Sequence, residues 1–61
     1  MSYIIYVIGY GYFGGYNTKY HDMFNITGLK FAKKLNAKET ESVKQMLKKA
    51  GYRFRVDEVA E

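Results

Sequence analysis

The chain has 61 residues, with ten Lys and Arg against six Asp and Glu, a formal net charge of +4, and no Cys, Pro or Trp. That size allows a single domain over residues 1–61 and makes a partner attractive, because so short a chain buries only about 60% of the surface its unfolded form exposes. The missing cysteines exclude disulfides, thiolate zinc sites and a cysteine nucleophile, and they fit a reducing cytoplasm.

No apolar run approaches the ~18 residues of a membrane span, and Met1 to Val7 carries no basic stretch of the kind that opens an export signal. Residues 1–16 hold no charged side chain, whereas every Lys, Arg, Asp and Glu lies from Lys19 onward. The chain therefore reads as an apolar sheet segment followed by a charged helical one.

Ser2 to Ile8 is a strand by composition, since Tyr3, Ile4, Ile5, Tyr6, Val7 and Ile8 all suit a pleated surface. Gly9-Tyr10-Gly11 supplies a tight turn. Tyr12 to Tyr16 returns as a second strand, with Gly14 and Gly15 marking a bulge. Asn17 to Asn25, polar and aromatic without periodicity, reads as a loop. From Ile26 the period changes: Leu29, Ala32 and Leu35 recur at three-residue spacing beside Phe31, which predicts a short helical turn running into an extended stretch.

The main helix is predicted over Ala37–Ala50. Asn36 stands as its N-cap with Glu39 completing a capping box, and Gly51 occupies the position that ends a helix left-handed. Thr40, Val43, Met46, Leu47 and Ala50 fall on one stripe, and the lysines lie mainly around the rest. Tyr52 to Val59 then alternates, with Tyr52, Phe54 and Val56 on one face and Arg53, Arg55 and Asp57 on the other. The expected architecture is α+β: a small antiparallel sheet, made of the N-terminal β-hairpin and the C-terminal strand, packed on one main helix in the order β-β-(short helix)-α-β. Strand order stays open.

One helix covers one face of such a sheet. If the first and last strands are neighbours, the other face carries Ile and Tyr beside arginines. Apolar surface rimmed by polar groups marks an interaction site, and Tyr and Arg dominate binding hot spots. Ile4, Tyr6, Ile8, Tyr12, Arg53 and Arg55 are the residues expected to bind a protein partner, with self-association into a homo-oligomer the first candidate. The competing reading is that the Asn17–Leu35 segment folds back and covers that face. The uncharged hairpin edge is a second place where another chain could add a strand.

Other motifs carry less. Gly9-Tyr10-Gly11-Tyr12-Phe13-Gly14 matches the G-x-G-x-x-G nucleotide fingerprint, but the pattern predicts no helix after it to receive a phosphate, so a tolerant turn is the simpler reading; a small ligand at the hairpin stays open. His21-Asp22 lacks a nucleophile or further ligands, so catalysis, a metal and a cofactor are not expected. Nucleic acid is the alternative partner: tyrosines would stack on bases while Lys30, Lys33, Lys34, Arg53 and Arg55 hold phosphates.

Tyr3-Ile4-Ile5-Tyr6-Val7, Gly11-Tyr12-Phe13-Gly14-Gly15-Tyr16, Ala32-Lys33-Lys34-Leu35, Lys38-Glu39 and Gly51-Tyr52-Arg53-Phe54-Arg55-Val56 together give a layout that resembles small accessory proteins of phages and prophages of low-GC Gram-positive bacteria. The resemblance transfers no catalytic residue. It implies a protein that binds a host or phage protein in the cytoplasm of a bacterial host, and the positive charge argues against an acidic mimic of DNA.

Overall fold

The first strand is apolar on both of its sides, and the side against which a helix packs becomes the core. The computed structural model of the chain describes residues 1–16 and 24–60. Within them β1 spans Ser2–Val7, β2 Gly11–Tyr16, β3 Phe24–Thr27 and β4 Phe54–Val59, with a 3₁₀ turn at Leu29–Phe31 and a single long helix, α1, at Ala37–Ala50. The strands form one antiparallel sheet in the order β3-β2-β1-β4. The α+β reading holds, and the first and last strands are indeed neighbours.

The sheet has one strand more than the sequence predicts. Phe24–Thr27, whose first two residues were expected in a loop and whose last two were expected to lead into a helical turn, is β3. Four residues are too few for a period to declare itself. Pairing with the open side of β2 settles the matter, with Tyr12 opposite Thr27, Phe13 opposite Ile26 and Tyr16 opposite Phe24. The rest of the expected loop, 17–23, lies outside the described residues. Strand limits also shift: β1 stops at Val7, β2 starts at Gly11 rather than Tyr12, and β4 starts at Phe54 rather than Tyr52.

β1 and β2 pair only at the hairpin end, Tyr6 with Tyr12 and Val7 with Gly11. Beyond those pairs a different segment takes over. Leu35 exchanges two hydrogen bonds of 2.8 Å with Tyr3, and the Lys33 N–H donates to the Phe13 carbonyl at 3.0 Å. The stretch Lys33–Leu35 thus wedges between the two strands, and β2 shifts register between Phe13 and Tyr16, where Gly14 and Gly15 sit. Gly11 is required on steric grounds: a Cβ there would stand 2.6 Å from Ile26 Cγ2.

α1 is closed at both ends as its sequence dictates. The Asn36 side chain accepts from the Glu39 N–H at 2.7 Å, the Glu39 carboxylate accepts from the Asn36 N–H at 3.1 Å, and Gly51 ends the helix at φ 85°. Its inward stripe is Thr40, Val43 and Leu47, with Met46 half-buried; Ala50, expected on that stripe, is exposed. The helix lies on β1 and closes a core of Ile5, Val7, Phe13, Leu35, Val43 and Leu47. Phe24, Met46, Tyr52, Phe54 and Val56 pack around it. The short helical turn running into an extended stretch forms where the spacing of Leu29, Ala32 and Leu35 places it, as the 3₁₀ turn Leu29–Phe31 and the stretch up to Leu35; Leu29 and Phe31 are exposed and Leu35 is buried. A three-residue turn has no second turn over which to repeat a face.

Candidate functional site

The side of the sheet away from α1 is built by the same alternation. Ile5 and Val7 face the core, so Ile4 and Tyr6 face outward. Phe13 faces the core, so Tyr12 faces outward. Phe54 and Val56 pack on the core, so Arg53, Arg55 and Asp57 point to the outer side.

Register then aligns these residues into rows. Tyr12 lies opposite Tyr6, and Tyr6 lies opposite Arg55, which makes a row across three strands. The rings of Tyr6 and Tyr12 meet edge to face with centroids 5.0 Å apart. The Arg55 guanidinium lies over the Tyr6 ring, 5.2 Å from its centroid. Such a ring pair contributes about 0.5–1.5 kcal/mol beyond its buried area, and an exposed cation–π contact about 0.5–1 kcal/mol. In the next row Ile4 stands opposite Asp57, whose carboxylate accepts from Arg55 Nε at 3.3 Å. That ion pair is well exposed, so it orients the guanidinium more than it stabilises the fold.

Ile8 lies just past β1, half exposed, and its N–H donates to the Arg53 carbonyl at 2.9 Å. All six residues named from the sequence, Ile4, Tyr6, Ile8, Tyr12, Arg53 and Arg55, therefore belong to this side of the sheet or its rim. Ile4, Tyr6 and Tyr12 are half-buried, and both arginines are exposed. Asp57 and Thr27 are among the further residues that share it. Asp57 was signalled by its place in the Arg53–Asp57 alternation. Thr27, opposite Tyr12, had no signal, because its strand was not legible.

The nucleic-acid set does not gather in the same way. Lys33 lines a cavity of about 300 Å³ with Phe13, Tyr16, Leu35, Lys38 and Val43, on the side where Leu35 and Val43 form the core. Lys30 is placed over the Phe31 ring at 5.9 Å. Arg55 stands on the outer face, over Tyr6. The glycine run places Ile8–Tyr10 in a turn and Gly11–Tyr16 in β2, so the phosphate-binding geometry of a strand followed by a helix is not formed there. His21 and Asp22 lie outside the described residues. Among the described residues, no cluster of His, Cys, Asp and Glu has metal-site geometry, and no helix is long and apolar enough to cross a membrane.

Comparison with protein-family models, with curated proteins and with solved structures finds no match to this chain.

Proposed function

We propose that this chain is a small, non-enzymatic interaction module that binds another protein through the outer face of its sheet. The observation that carries the reading is the Tyr12–Tyr6–Arg55 row. Two rings and a guanidinium are held in mutual contact on a half-covered apolar surface bordered by Ile4 and Ile8. Tyr presents large, stiff contact area with a hydrogen-bonding tip at low entropic cost, and Arg55, laid over Tyr6 and bonded to Asp57, adds a cationic tip beside it. The setting that goes with it is a phage-type accessory protein acting on a host or phage protein in the bacterial cytoplasm, a second copy of the chain being the first partner to consider.

The experiment is capture from bacterial lysate on immobilised protein, comparing wild type with the double variant Tyr6→Ala, Arg55→Ala. The expected outcome is loss of the captured protein with an unchanged helical circular dichroism spectrum. Equal capture by the double variant would remove this face from consideration. The alternative reading, nucleic-acid binding by Tyr stacking and Arg contacts, is favoured by the same Arg55–Tyr6 arrangement. It predicts affinity for single-stranded oligonucleotides that falls steeply with salt, whereas an apolar face contact changes little.

A further inference from the structure

β4 is an edge strand, paired on one side with β1 and terminal in the sheet on the other. The Arg53 carbonyl accepts from Ile8 on the β1 side. Alternation along β4 then turns the N–H and C=O of Arg55, Asp57 and Val59 toward β1, and those of Phe54, Val56 and Glu58 away from it. α1 does not close over this edge: a cavity of about 260 Å³ lies between helix and strand, lined by Tyr3, Ala37, Thr40, Glu41, Lys44 and Val56.

Edges of this kind are commonly blunted by charged side chains, which hold a second copy off when like charges come to lie opposite each other. β4 carries both signs, at alternate positions on one face: Arg55 and then Asp57. We propose that β4 pairs with β4 of a second copy, antiparallel and centred on Val56, so that the two sheets join into one.

That register is singled out by the residues. Centring on Val56 sets Val56 against Val56 and Phe54 against Glu58, which are the residues whose backbone groups point outward and can exchange hydrogen bonds. It sets Arg55 directly against Asp57 of the second copy, and the reverse, in the non-hydrogen-bonded positions where cross-strand side chains approach most closely. Centring one residue earlier opposes Arg55 to Arg55, and one later opposes Asp57 to Asp57; like charges directly opposite are destabilising. The other edge, β3, is shorter and has no charged residue to select a register. The joined sheet brings the Tyr12–Tyr6–Arg55 rows of both copies onto one continuous surface. The purpose given to that surface rests on the function proposed above, but the pairing is tested apart from it.

Light scattering on a sizing column across a dilution series, with amide exchange by NMR, reads the pairing. The wild-type chain should run as a dimer, with the Phe54, Val56 and Glu58 amides protected alongside those of Arg55 and Asp57. Asp57→Arg should weaken dimerisation by at least about tenfold, since it turns two attractive cross-strand pairs into repulsive ones. Adding Arg55→Asp to that variant restores opposite charges and should restore the dimer. Glu58→Pro, which removes an outward N–H and no bond to β1, should also give a monomer with a native circular dichroism spectrum. A wild-type monomer overturns the proposal. So does a dimer whose Phe54, Val56 and Glu58 amides exchange freely, a reading that needs no variant to fold. Tyr6→Ala separates the two questions: it leaves the β4 edge intact, so a dimer that no longer captures a partner supports the face, and a dimer that still does overturns the face without touching the edge.

Discussion

The two sides of this sheet are made by the same strands and spend their residues differently. On the inner side Ile5, Val7 and Phe13 are buried against Leu35, Val43 and Leu47, so the core is aliphatic around one phenylalanine, with further aromatics at its flank. On the outer side the neighbouring positions Ile4, Tyr6 and Tyr12 are half-covered and share their surface with Arg55 and Asp57. The inner side has a helix to exclude water from it, and among the described residues the outer side is covered by its own long side chains. Stability should therefore be concentrated on one side and recognition on the other.

The adjacent isoleucines of β1 test that division most directly, since they are the same residue one position apart. Ile5→Ala empties a fully buried site and should cost about 2–5 kcal/mol in urea denaturation. Ile4→Ala should cost about 1 kcal/mol, in proportion to its partial burial. Equal costs would mean that the outer side is packed as tightly as the core, and the comparison would fail. Next in size is Gly11→Ala, which drives a Cβ into Ile26 at the inner side of the β2–β3 pair and should lower stability by about 1–3 kcal/mol. Asn36→Ala removes the cap of the helix that covers the inner side. It should cost about 1 kcal/mol with little effect on the outer face, measured as a lower thermal midpoint with unchanged partner capture. The smallest effect belongs to Asp57→Asn: the exposed pair with Arg55 should contribute under about 1 kcal/mol to the fold.

Legibility in the sequence followed the length of each pattern. α1 was readable to the residue because three independent signals coincide there: the Asn36–Glu39 box, a stripe repeated over several turns, and Gly51. The outer-face residues were readable because alternation in β1 and β4 runs through six residues each. β3 was not, with four residues and an aromatic-polar mixture that fits a loop as well. The three-residue spacing of Leu29, Ala32 and Leu35 was legible as a short helical turn running into an extended stretch, and a 3₁₀ turn over Leu29–Phe31 followed by extended backbone is what forms there.

Local chemistry alone thus determined the helix with both its ends, the hairpin, and the inward and outward sets of β1 and β4, since each depends on neighbours within a few residues along the chain. Tertiary structure decided the rest. It placed β4 beside β1, which is what brings Arg55 over Tyr6. It recruited Phe24–Thr27 as a strand, and it inserted Lys33–Leu35 between β1 and β2. These are contacts between distant parts of the chain, selected because the backbone groups and apolar faces left open by the local elements had to be satisfied together.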